Sequence, residues 1–134
     1  ASGPLDARQQ LDAERACLLH GNVRIEAIET NNEVLTGIRG GDKAAYKYLD
    51  FGKGVKSVTF RVLPGADEGS VRVSVGSPFT FGGGANVRVP GNGDGKTWTT
   101  ITVPLSNATG VNAVWLIFNA KGEKTFKIDW FKFE

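Results

Sequence analysis

At 134 residues the chain has room for one domain with a single buried core, and its 40% hydrophobic and 22% charged residues are ordinary for a globular protein. A formal net charge of +2 from scattered basic residues argues against nucleic acid, which favours a concentrated basic stripe. No apolar run reaches the length of a membrane span, and the single cysteine, Cys17, excludes an internal disulfide.

Residues 1–10 read as a polar lead-in, a linker or an extraneous remnant, without the pattern of a signal peptide. With no methionine in it, the sequence reads as an excised module. The one helical candidate, Leu5 to Leu19, keeps no clean helical period, so strand is expected for most of Leu11 to Arg15. From there alternation recurs. Val58, Phe60 and Val62 share one face, as do Val71, Val73 and Val75 opposite Ser70, Arg72 and Ser74. Asn86 to Val89 repeats the pattern briefly. Thr99, Ile101 and Val103 oppose Trp98, Thr100 and Thr102; Val114, Leu116 and Phe118 oppose Ala113, Trp115 and Ile117. Turn signals separate these runs, among them Gly52-Lys53-Gly54, Pro64 to Gly69, Gly82-Gly83-Gly84 and Gly91 to Gly95. The expected fold is all-β, an antiparallel β-sandwich or jelly roll over residues 11–134.

Catalytic constellations are missing from the pattern. His20 is the only histidine and has no partnered Ser or Cys motif, so a loop histidine is the better reading than a hydrolase base. Asp67 and Glu68 lie in a turn and read as solvated charge. Asn107-Ala108-Thr109 fits a glycosylation acceptor, although a turn between strands explains it as well. An aromatic-rich, all-strand domain of this kind is more often a binder than an enzyme.

Taken in order, Leu11-Asp12-Ala13-Glu14, Gly41-Asp42, Tyr46, Asp50-Phe51-Gly52, Trp98-Thr99-Thr100, Thr109-Gly110-Val111 and Ile128-Asp129-Trp130-Phe131 resemble the motifs of carbohydrate-binding module family 6. The resemblance runs from about Leu11 to Phe133 and implies a galactose-binding-like β-sandwich without catalytic activity. It also implies a secreted, monomeric module that holds polysaccharide or oligosaccharide for the catalytic domain of a parent glycoside hydrolase, with xylan or arabinoxylan as the first substrate to test. It implies a structural calcium held by Asp12, Glu14 and Asp129 with backbone carbonyls; the plainer alternative is three scattered surface carboxylates.

The sequence departs from the family pattern at the sugar cleft. The usual Tyr, five residues before Asp42, is Gly37; the usual Trp, three residues before Trp98, is Gly95; the usual Asn, two residues before Asp129, is Lys127. Asn119 and Lys127 are expected to line what is left, with hydrogen bonds but no stacking platform. A second site occurs on the concave sheet face of some members, where the usual Trp is Lys43 here. Trp98 and Trp115 both point away from the core-facing residues of their runs. Trp98 is expected to be the main platform, with Lys43 and Arg72 as polar partners and Arg61 on the same surface. Phe79 and Phe81 form a further aromatic pair in a loop. The competing expectation is a degenerate structural module, packed on a catalytic domain and without glycan affinity.

Overall fold

The computed structural model describes residues 3–79 and 84–134. Among the described residues, twelve strands form two six-stranded sheets packed face to face. The first sheet contains β1 (Leu5–Asp6), β3 (Leu18–His20), β6 (Lys43–Asp50), β8 (Gly69–Val75), β9 (Ala85–Val89) and β11 (Val111–Ala120). Its order is β1-β6-β11-β8-β9, with β3 also on β6. The second contains β2 (Leu11–Asp12), β4 (Arg24–Glu29), β5 (Asn32–Thr36), β7 (Ser57–Leu63), β10 (Thr99–Pro104) and β12 (Lys127–Phe133). Its order is β10-β7-β12-β5-β4, with β2 also on β12. All the named pairings are antiparallel except β1 with β6. The all-β sandwich expected from the alternation is the fold.

The alternating residues fill the space between the sheets. Val58, Phe60 and Val62 meet Val71, Val73, Val114, Leu116 and Phe118 in one continuous core. Phe131 sits at its centre, stacked on Phe60 at 5.3 Å and edge-on to Tyr46 at 4.8 Å, arrangements that aromatic rings favour. The buried Tyr46 hydroxyl donates to the Ala13 carbonyl at 2.7 Å, so its polar tip is satisfied. Burial pushes that phenol's pKa up, because the phenolate would lose its water, with the negative charge of Glu14 adding to the rise.

Two expectations about the N-terminal region are corrected. Leu11–Asp12 is a strand, but Ala13–Arg15 is a 3-10 turn. The chain crosses there from β12 in one sheet to β6 in the other, and an extended run could not turn that sharply. Nor is the segment before residue 11 only a linker. Leu5–Asp6 pairs with Leu49–Asp50, and Ala7 is fully buried, donating its N–H to Asp50 O at 3.0 Å.

Candidate functional site

The outer face of the first sheet carries an aromatic groove. Because Val114 and Leu116 point into the core, Trp115 between them points out. Register sets its neighbours: Trp115 lies opposite Ala45 on one side and Ser74 on the other, and Leu18 lies beyond Ala45. Small residues on both flanks leave room for the indole to lie along the sheet. The next outward row holds His20, Lys43, Ile117 and Arg72. The loop after β8 raises a wall. Ser74 Oγ donates to Ser77 O at 2.5 Å, and the Phe79 N–H donates to Ser77 Oγ at 3.1 Å. This turn stands Phe79 in solvent, 76% exposed. The groove holds about 490 Å³, lined by Trp115, Phe79, Pro78, Leu18, Ser77, His20 and Lys43. It pairs flat apolar surface with an ammonium and an imidazole, the combination that covers one face of a pyranose and reaches its hydroxyls. Phe81, the other expected loop aromatic, lies outside the described residues.

Trp98 belongs elsewhere. It leads into β10, which pairs with β7 in the second sheet, whereas Lys43 and Arg72 lie on β6 and β8 of the first. The expected grouping of Trp98 with Lys43 and Arg72 is therefore corrected, as is that of Arg61 with them. Alternation separates inward from outward but does not assign a strand to a sheet. The Arg61 guanidinium lies 4.7 Å from the Trp98 ring centroid and donates to Asp129 Oδ2 at 2.8 Å. The indole face is thus already engaged by a cation.

At one pole of the sandwich, loops form an open polar cleft of about 500 Å³, lined by Asn22, Arg24, Gly37, Arg39 and Glu123. The buried Asp42 carboxylate organises it by accepting the backbone N–H groups of Asn22 at 3.1 Å, Val23 at 2.8 Å and Arg39 at 2.9 Å. Asn22 Nδ2 donates to Gly37 O at 2.6 Å. Gly37 has φ 68°, and a Cβ there would run into the Arg24 guanidinium, so Arg24 occupies the room of the missing aromatic wall. Gly95 faces open space. Of the two residues expected here, Asn119 comes near, its Oδ1 3.6 Å from where a Cβ on Gly40, next to Arg39, would sit. Lys127 Nζ is bound to Glu26 Oε1 at 2.5 Å, and Asn119 also sits beside Glu68, Arg88 and Lys121 in a separate depression. Arg24 and Arg39 carried no sequence signal, since only the loop folding sets them around Gly37.

The carboxylates near the start of the chain fit a hard cation on donor chemistry. Glu14 Oε2 is buried without a hydrogen-bond partner. Burial first, then the negative charges of Asp12, Asp129 and Glu33, hold the Glu14 carboxyl above its ordinary range. Asp129 is 8% exposed and ion-paired with Arg61. Among the described residues, no three His, Cys, Asp or Glu side chains are already gathered as a ligand set. The orphaned oxygen and the crowded negative charge nevertheless suit an oxygen-seeking cation.

Comparison with known proteins places this geometry in context. The family model described as carbohydrate binding module (family 6) matches residues 12–134. Endo-1,4-beta-xylanase A of Thermoclostridium stercorarium is 30% identical over 130 residues, 96% of this chain and 24% of that protein. Arabinoxylan arabinofuranohydrolase of Bacillus subtilis (strain 168) is 32% identical over 108 residues, 77% of this chain and 20% of that protein. The chain therefore spans about a quarter or less of the length of these relatives. CsCBM6-3 from Clostridium stercorarium, solved in complex with cellobiose, superposes with a TM-score of 0.86 at 28% identity, covering 100% of this chain and 98% of that one.

Proposed function

The chain belongs to carbohydrate binding module family 6, a family of non-catalytic carbohydrate-binding modules, and from that premise we propose that it anchors a secreted glycoside hydrolase to plant polysaccharide, xylan or arabinoxylan first. The anchoring acts through proximity, by raising the enzyme's effective concentration at an insoluble substrate. The observation that carries this reading is the Trp115–Phe79 groove, whose apolar walls and Lys43 provide the stacking and hydrogen bonding that Gly37 and Gly95 no longer supply in the loop cleft. Arg72, one outward row along on β8, extends the polar rim. Titration with xylo-, arabinoxylo- and cello-oligosaccharides tests it. Binding that disappears in Trp115→Ala supports this reading; silence across the panel favours the alternative, a structural module packed on a catalytic domain. The bare Gly95 and the filled Gly37 position are what support that alternative.

Calcium is part of the same proposal. Asp12, Glu14 and Asp129, with nearby backbone oxygens, would hold it, and the Trp130↔Asp12 register would tie the first strand of that sheet to the last. When bound, the ion supplies positive charge to a carboxylate whose Oε2 is buried without a hydrogen-bond partner. The support is the orphaned Glu14 oxygen. Elemental analysis of the purified module tests it: a stoichiometric ion is expected, and a metal-free protein that gains no stability from added calcium would remove the proposal.

A further inference from the structure

We infer that the loop cleft around Gly37 is a separate site for the carboxylate of an acidic sugar, a uronate residue within a glycan. The cleft lacks a flat wall at Gly37 and is lined by two guanidinium groups. Arg24 lies over Gly37, where it donates a long hydrogen bond, 3.5 Å, to Asn22 O, and among the described residues it makes no ion pair. Arg39 reaches across to Glu123 at 3.6 Å, with the two side chains 55% and 79% exposed. A pair so open and so long is weak, and an incoming carboxylate can displace it. The lining thus presents two cations against one anion. The other nearby acids are already engaged, Glu26 by Lys127 at 2.5 Å and Asp42 by the N–H groups of Asn22, Val23 and Arg39.

The chemistry selects among ligands. A neutral pyranose finds no platform here, because Gly95 is bare and Gly37 is covered. A planar carboxylate matches the planar two-donor edge of a guanidinium, and the lining offers two of them, Arg24 and Arg39. The Asn22 side chain, held at 2.6 Å on Gly37 O, adds a polar group beside them. The cleft's volume of about 500 Å³ accepts a sugar ring. The scaffold is fixed in advance, since the three N–H groups gathered by Asp42 hold both arginine-bearing segments in place. The inference rests on the glycan-binding reading above and names the class of sugar taken at a second place on the module.

The test is calorimetric titration of the full chain with a xylo-oligosaccharide carrying one glucuronic acid, the same oligosaccharide after carboxyl reduction, and a sulfated neutral counterpart. The uronate form should bind about tenfold more tightly than the reduced form at low salt, the scale of a lost charge-assisted hydrogen bond. That ratio should shrink toward one at high ionic strength, as screening requires. Arg24→Gln with Arg39→Gln should abolish the preference while the reduced form binds as before. Arg24→Lys should keep part of it, because charge remains without the fork. Equal affinity for the uronate and reduced forms overturns the inference on the unmutated chain alone, and so does a preference that survives loss of both arginines. Sulfated ligand binding as tightly as the uronate would replace a carboxylate site with a general anion site. If the neutral form still binds through Trp115, only this inference falls; if no saccharide binds, the module reading falls with it.

Discussion

Two tryptophans, both on outward positions of strand-like runs, meet opposite fates. Trp115 stands on the first sheet between Ala45 and Ser74, with a proline and a phenylalanine rising beside it. Trp98 stands on the second sheet under the Arg61 guanidinium, which is itself locked to Asp129. Both indoles are half-buried, but one borders an open groove and the other lies against a cation. Cross-strand neighbours decide which, and those neighbours come from distant parts of the chain. The contrast extends to whole faces. The first sheet's outer face offers unfilled groove, while the second's is tied together by an ion pair, a cation–π contact and the Thr59–Thr102 hydroxyl bond at 2.7 Å.

The sharpest way to break this comparison is to remove each indole in turn. Trp115→Ala should weaken neutral oligosaccharide binding about a hundredfold, as loss of a central aromatic anchor does, with the melting temperature nearly unchanged. Trp98→Ala should leave calorimetric affinity within about twofold. The comparison inverts if the two variants exchange effects.

Chelation tests the calcium proposed for the second sheet. Removing calcium from a module bathed at a hundred times the ion's Kd should lower stability by about 2.7 kcal/mol, read as a fall in melting temperature. Binding at the Trp115 groove, measured below the new melting point, should not move. In chelator, Glu14→Gln should melt above the unmutated protein at neutral pH. A carboxyl held above its ordinary range contributes stability below its unfolded pKa, and that contribution disappears as pH rises through the folded value. Glutamine carries no charge to bury, and the variant should also lose its response to added calcium.

A smaller effect concerns Trp98 itself. Truncating it should destabilise the fold by about 1 kcal/mol through the lost contact with Arg61, measured by denaturant titration.

The smallest effect concerns the loop leading to Trp98. Asp94 accepts from Thr97 Oγ1 at 2.7 Å and from the N–H groups of Lys96 and Thr97, both at 2.8 Å. These bonds hold its pKa at about 2, the Thr97 hydroxyl contributing most. A depressed carboxylate stabilises above its unfolded value of 3.8 and loses that effect as pH falls toward 2. Acidification through that window should change Trp98 fluorescence in the unmutated chain and not in Asp94→Ala.

The runs at Val58–Val62, Val71–Val73 and Val114–Phe118 were legible because alternation is local, and the core is built from them. What escaped was non-local. Nothing in Thr97 to Val103 says that β10 pairs with β7, so Trp98 could not be assigned a sheet from its own strand. Leu5–Asp6 is too short to show a period, and it is a strand only because β6 offers an edge. The missing aromatics at Gly37 and Gly95 were visible as letters, but the arginine that fills one gap arrives from Arg24 through the β4–β5 register, Arg24↔Thr36. Phe79 was visible as a loop aromatic, while its exposure depends on the hydrogen bonds made by Ser77.

The pairing of β1 with β6 has a mechanical consequence. Ala7 accepts the Phe133 N–H at 3.4 Å, and Glu134 exchanges backbone bonds with Ser57, so the first and last strands meet at one pole. The cleft loops lie at the other, since β7 runs from Ser57 beside Glu134 to Leu63 beside Lys127. A pull applied at residues 5 and 134 together would first load the Leu5–Leu49 pairing and the bonds around Ala7, Phe133 and Glu134. The cleft loops, at the opposite pole, lie away from the bonds that such a pull loads first.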